Sequence, residues 1–429
     1  MNHTAEVYMW GTRVGIVHLE EGSDHASFEY DRRFTGSGIE ISPIKMPLAD
    51  VVYSFPDLSD TSFCGVPGLL ADSLPDRFGN AVISKWLAGR GLANSDFNVI
   101  DRLCYTASRG MGALEYIPAT GPAQGVEDEV NIDEMVRFAS DVLNKRKKVR
   151  LKMDEDITAR QLLLLGTSAG GARAKAVIAW NEESGDIRSG QINPGKGYGF
   201  WIIKFDGVDN NGDHDLDDGP QYTLIEYAYH LMAVAAGIKM SECRLLHENG
   251  RDHFMTKRFD RTDDGDKVHM QTLGAITHID YNYPRLCSYE QAAIYARMMH
   301  LPESDVEELY RRMIFNVLAS NHDDHVKNIS FLMDRAGKWR LAPAYDITFA
   351  YDSVNKWISA HQMTVNGKGS GITDEDLAIC GKKMDISSVK CKRIREEVRR
   401  AVDEWPGFAE KAGVCENNME MIRKNILRA

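Results

Sequence analysis

The stretch Asn321-His322-Asp323-Asp324-His325-Val326-Lys327-Asn328 gathers two carboxylates, two imidazoles and two amides on one short loop. Phosphoryl transfer from ATP needs a carboxylate to orient the attacking hydroxyl and an oxygen ligand to hold Mg²⁺ against the phosphates. In protein kinases the catalytic Asp precedes its metal-binding Asn by five residues on one loop, and Asp323 and Asn328 have that separation. His322 and His325 suggest a transition-metal site instead, but they stand three apart with no third ligand at a telling distance. A plain polar turn is the other reading of so acidic a loop.

The next residues bear on that choice. Ile329 to Asp334, a turn around Arg335-Ala336-Gly337-Lys338, then Trp339 to Leu341 and Ala342-Pro343-Ala344-Tyr345-Asp346 read as a hairpin. Pairing about that turn sets residues whose numbers sum to roughly 673 face to face, so Asn328 lies opposite Tyr345 and beside Asp346. An amide oxygen and a carboxylate then meet where a hard cation can bridge them.

A kinase also needs small residues around the phosphates and a lysine on a neighbouring strand. Gly166 to Lys175 offers backbone N–H groups that can approach phosphate closely, yet it fits neither common phosphate-loop pattern. Lys204, in Trp201-Ile202-Ile203-Lys204-Phe205, is a cation in an apolar strand and needs an anionic partner, either a carboxylate or an ATP phosphate. Glu226 is a candidate for the helix glutamate that holds such a lysine, but Thr223 and Glu226 also have capping-box spacing, which is the favoured reading.

The elements that must position these groups fall into a strand-rich front and a helix-rich back. Strands are expected at Glu6–Trp10, Val14–Leu19, Ser27–Tyr30, Ala174–Trp180, Gly199–Phe205 and His253–Phe259. Helices are expected at Ala81–Leu87, Leu224–Ala236, Gln291–Met299, Val306–Ala319, Val389–Glu404 and Asn417–Leu427. Ser288 with Gln291, and Ser304 with Glu307, carry capping-box spacing ahead of two of them. The basic run Lys145 to Lys152 marks a boundary, giving stretches 1–150, 151–260 and 261–429.

Composition narrows the class. The net charge of −12 disfavours a chain that wraps nucleic acid by itself. The seven cysteines form no CxxC pair, which points away from zinc and from a disulfide framework. With no long apolar run, a cytoplasmic location is expected. The acidic stretch Asp209 to Gly219 misses the EF-hand register and reads as a solvated loop.

The ordered set of motifs resembles the HipA family, the kinase toxins of bacterial toxin–antitoxin pairs. In front stand Phe28-Glu29-Tyr30-Asp31, Leu70-Ala71-Asp72-Ser73-Leu74-Pro75-Asp76 and Gly110-Met111-Gly112-Ala113-Leu114. The middle has Ser168 to Lys175, Trp201 to Lys204 and Arg258-Phe259-Asp260-Arg261. The back has Asp323 to Asn328, Pro343-Ala344-Tyr345-Asp346 and Met363 to Lys368.

The resemblance implies an α+β, two-lobed protein-kinase-like fold with a strand-rich N-terminal lobe and a mostly helical C-terminal lobe. By the same resemblance Asp323 is catalytic, and Asn328 and Asp346 bind Mg²⁺. Gly170, Gly171, Ala172, Arg173, Ala174, Lys175 and Lys204 contact the ATP phosphates. Lys257, Arg258 and Phe259 form the hinge along the adenine, and His325, Val326, Lys327 and Tyr345 complete the nucleotide site. Ser168 corresponds to the family's autophosphorylated loop serine.

Two residues depart from the family pattern: Lys257 replaces a common acid, and Asp324 replaces a common Gly and adds charge near the phosphates. The implied partners are a protein substrate such as an aminoacyl-tRNA synthetase and a HipB-like helix-turn-helix antitoxin, which makes the main contact with DNA. A kinase-like corepressor without catalysis and a small-molecule kinase are the rival functions.

Overall fold

A computed structural model describes residues 1–120, 130–143, 173–191, 194–208 and 221–426. The first sheet is antiparallel, with strands β1 (Thr4–Met9), β2 (Thr12–Leu19), β3 (Ala26–Tyr30), β4 (Val52–Tyr53) and β5 (Leu114–Ile117) in the order β4-β3-β2-β1-β5. Trp10 and Gly11 form the β1–β2 turn with φ of 51° and 78°, the doubly positive geometry that suits the right-handed twist of a hairpin. Trp10 therefore belongs to the turn and not to the first strand.

The second sheet has strands β6 (Lys175–Trp180), β7 (Ile187–Ser189), β8 (Gly199–Lys204), β9 (Cys243–Glu248) and β10 (Arg251–Lys257), in the order β7-β6-β8-β10-β9. Lys175 and Lys204 are direct partners in the β6–β8 register. The third sheet, β11 (His269–Thr272), β12 (Ser330–Met333) and β13 (Trp339–Leu341), contains the expected hairpin. Its register sums to 672, as in Phe331 opposite Leu341, and β11 adds a strand that local pattern does not announce.

Helices of eight or more described residues are Arg77–Gly89, Val99–Thr106, Ile132–Leu143, Tyr222–Ala235, Tyr289–Met298, Glu303–Leu318, Asp374–Lys383, Ser388–Asp403, Trp405–Ala412 and Glu416–Ile426. Of the three expected capping boxes, only Ser288 with Gln291 forms. The helices begin instead at Tyr222, after Gln221, and at Glu303, after Pro302. Thr223 and Ser304 consequently sit inside the first turn, where the same spacing has no cap to make.

Two apolar cores draw on more than one part of the chain. The larger joins first-sheet residues such as Phe28 and Tyr30 to back-half residues such as Tyr310, Phe315 and Trp405. The second packs Phe78, Val82 and Trp86, with Met135 and Val136, against Ile178, Ile203 and Met255 of the second sheet. Burying a large apolar side chain such as Phe28 or Phe315 contributes about 1.5–3 kcal/mol. The front of the chain thus reaches both cores, and it passes from one to the other near Leu74 and Asp76.

Candidate active site

The loop after helix Glu303–Leu318 is set by backbone and amide bonds before it reaches its acids. Asn321 donates its N–H to the Asn316 carbonyl and its side-chain amide to Asn316 Oδ1, both at 2.9 Å. Asp323 then emerges with a side chain 41% exposed, and His325 Nε2 stands 3.7 Å from its carboxylate. Asn328, closing the short 3₁₀ turn Val326–Asn328, donates Nδ2 to the Asp323 carbonyl at 2.8 Å. A carbonyl can only accept, so this bond fixes the amide and leaves Asn328 Oδ1 as the oxygen available to a cation.

Asp346 stands at the other arm of the hairpin in a left-handed conformation, φ 51°. It shares Lys204 with Glu226: Lys204 Nζ lies 2.6 Å from Asp346 Oδ1 and 2.5 Å from Glu226 Oε1. Burial alone would push the Lys204 ammonium down, but the Asp346 and Glu226 carboxylates hold it above its ordinary value. Burial likewise works against the Asp346 anion, and Lys204 outweighs it, so Asp346 lies below the usual carboxylate range. Tyr345 braces the hairpin by donating its hydroxyl to the Lys327 carbonyl at 2.5 Å, and its ring lies 5.5 Å from that of Phe259.

His325, Asn328, Tyr345 and Asp346 line one cavity. Buried His325 Nδ1 finds no hydrogen-bond partner among the described residues, which leaves a ring nitrogen for a ligand. An amide oxygen and a carboxylate are hard donors, suited to Mg²⁺, which keeps waters and phosphate oxygens in its shell. No group of three or more His, Cys, Asp or Glu that could hold a metal occurs among the described residues.

The other expected residues are placed as follows. Lys175 is buried with Nζ 3.2 Å from Asp76, Ala174 is buried, and the Arg173 guanidinium lies 5.2 Å from the Tyr222 ring centre. Val326 is buried, and the Lys327 ammonium lies over Tyr281 at 4.9 Å. Lys257 pairs with Asp263 at 2.9 Å near the surface. The Arg258 guanidinium is buried and engaged by Asp260 at 2.9 and 2.7 Å. Ser168, Gly170, Gly171 and Ala172 lie outside the described residues, as do the basic run 145–152 and the acidic stretch 209–219.

One expectation needs correcting. Glu226 is not a cap: it lies within its helix, 1% exposed, bound to Lys204. Asp324 is buried and lines the same cavity as Asn328 and Asp346. Its carboxylate, 1% exposed, accepts from the Tyr289 hydroxyl at 2.8 Å and the Gln362 N–H at 2.8 Å, with His361 Nδ1 at 3.0 Å. It ties the Asp323 loop to the segment that follows Asp346. Sequence reading also passed over Asp76 as the partner of Lys175, for which the only signal was its place in Leu70 to Asp76.

Residues 5–117 match the family model for the HipA N-terminal domain, and residues 167–405 match that for the HipA-like C-terminal domain. A protein of Haemophilus influenzae named "Putative kinase" is 29% identical over 34% of this chain and 48% of its own. "Putative kinase Y4mE" of Sinorhizobium fredii is 25% identical over 46% of this chain and 41% of its own. The chain thus spans about half the length of these curated relatives. HipA of Shewanella oneidensis, solved with HipB and its operator DNA, superposes with a TM-score of 0.69 at 14% identity, over 99% of this chain and 96% of that one. The architecture is the two-lobed, kinase-like α+β fold expected from the sequence.

Proposed function

The chain belongs to the HipA family, and from that premise we propose that it is a serine/threonine-protein kinase acting as the toxin of a toxin–antitoxin pair in the cytoplasm. Asp323 accepts the proton of a Ser or Thr hydroxyl on a protein substrate as that oxygen bonds to the γ-phosphorus of ATP. The bond from γ-phosphorus to the bridging oxygen breaks, and ADP leaves with the electron pair. Lys204 and the amides of the glycine-rich loop neutralise charge on the phosphates, while Lys257 to Phe259 run along the adenine. Asn328 Oδ1 and Asp346 are the residues to hold Mg²⁺, which when bound draws charge from the phosphate oxygens.

The observation that carries this reading is the shared lysine. Lys204 is held by Glu226 from a helix and by Asp346 from the hairpin, while Asn328 is locked by Asp323 itself. The substrate is proposed to be a translation-related protein such as an aminoacyl-tRNA synthetase. Repression is proposed to run through a HipB-like antitoxin that makes the main DNA contact, in keeping with the net charge of −12. Phosphorylation of Ser168 would bring nearly two negative charges beside ATP and act as an off-switch.

Mass spectrometry after incubation with ATP and Mg²⁺, beside Asp323→Ala, tests the proposal. One phosphate on Ser168, absent from the variant, is expected. No phosphate on the unaltered chain, with ATP binding intact, would favour a corepressor without catalysis or a kinase lacking self-inhibition.

A further inference from the structure

Lys175 and Lys204 face each other across β6 and β8. Directly opposed side chains on antiparallel strands have Cβ atoms about 4.5–5.5 Å apart, and like charges there repel. Both ammonium groups are buried. The acids that hold them come from different parts of the chain. Lys204 has Glu226 and Asp346. Lys175 has Asp76, whose side chain is 7% exposed and which belongs to the HipA N-terminal domain.

Asp76 is itself fixed, since it caps helix Arg77–Gly89 by accepting the Gly79 N–H at 2.6 Å. Four residues earlier, Asp72 accepts the N–H and hydroxyl of Thr272, at 2.7 and 3.0 Å. Thr272 caps helix Leu273–Thr277, and Leu273 donates its N–H to the carbonyl of Ile329, the neighbour of Asn328. One short front segment therefore grips both sides of the nucleotide cleft.

We propose that Asp76 is a positioning residue of the nucleotide site: it holds Lys175 away from Asp346, so that Asp346, already paired with Lys204, is not given a second lysine and can bind the cation that accompanies ATP. The inference rests on the kinase reading. Asp346 already binds Lys204, the direct register partner of Lys175, and is the acid a released Lys175 would meet. A carboxylate flanked by two lysines is a poorer cation ligand, so loss of Asp76 must appear as a greater need for Mg²⁺. The N-terminal domain would then be part of the catalytic device.

The test is calorimetric ATP binding by the full chain at a series of Mg²⁺ concentrations. It compares the unaltered protein with Asp76→Asn, Lys175→Met and the double variant. Asn caps a helix about as well as Asp, so Asp76→Asn removes charge and keeps the cap. The Mg²⁺ concentration for half-maximal binding is expected to rise about tenfold in Asp76→Asn, equivalent to about 1.4 kcal/mol. It should return to within about twofold of the unaltered protein in the double variant, which has no ammonium left to compete. An unchanged requirement in Asp76→Asn, or no recovery in the double variant, would overturn the inference. Should Asp76→Asn fail to fold, Asp76→Ser, another strong cap former, carries the same expectation. Failure of the unaltered chain to bind ATP at any Mg²⁺ concentration would overturn the kinase reading and this inference with it.

Discussion

Two ion triads with similar chemistry serve different ends in this molecule. In one, Asp260 sits between Arg258 and Arg261, at 2.7 and 2.8 Å, and accepts the Gly112 N–H at 2.8 Å. Asp260 and Arg258 have fully buried side chains, and Arg261 is 7% exposed. In the other, Lys204 sits between Glu226 and Asp346, and the Asp346 side chain is 36% exposed. The sealed triad has no place for a newcomer and stitches the loop around Gly112 to the start of the back half. The open triad has one acid within reach of solvent, the one proposed to hold a cation. Exposure of a single corner, more than the charge pattern, separates a joint from a site.

The comparison predicts opposite phenotypes. Asp260→Ala strands two buried guanidinium groups and should destabilise the chain by about 3–5 kcal/mol, read by urea unfolding. A midpoint close to that of the unaltered protein would show that the joint is not structural. Asp346→Asn should leave that midpoint nearly in place while lowering phosphate transfer on the order of a thousandfold, about 4 kcal/mol of barrier. Equal damage to folding by both substitutions would erase the distinction.

Asp324→Asn probes the tether between the Asp323 loop and the segment beyond Asp346. It should lower kcat by roughly ten- to a hundredfold with little change in KM for ATP, because it loosens Asp323 rather than the nucleotide. A loss confined to KM would contradict the tether. The smallest effect belongs to Lys257→Glu, since an exposed pair such as Lys257–Asp263 is worth about 0–1 kcal/mol. ATP affinity should stay within about twofold, and a larger change would mean that the lysine side chain does more at the hinge than its backbone.

Much of this was legible in the sequence. The five-residue spacing from Asp323 to Asn328 and the hairpin turn near Gly337 brought Asn328 and Asp346 to one cavity. Turn chemistry and spacing are local, and local rules read them well. What stayed hidden depended on distant partners. Glu226 has the same offset from Thr223 whether it caps or binds Lys204, and only the helix start at Tyr222 decides. Asp323 and Asp324 are adjacent carboxylates, and nothing in their neighbours says which faces inward until Tyr289, His361 and Gln362 arrive from elsewhere. Asp76 and Lys175 meet across a gap of about a hundred residues, beyond the reach of periodicity.

The hairpin that brings Asp346 to the site has a second end. Trp339 donates its indole N–H to the Glu40 carbonyl at 2.9 Å, and Gly337 at the turn comes against Ile39. The hairpin is therefore a beam clamped at its turn by one domain and carrying Asp346, the proposed metal ligand, just beyond its open end. Trp339, 8% exposed with its ring 5.6 Å from that of His269, is also a natural fluorophore at the clamp. A protein that takes hold of the first sheet would load the beam, and the emission of Trp339 would report the load as it travels toward the cleft.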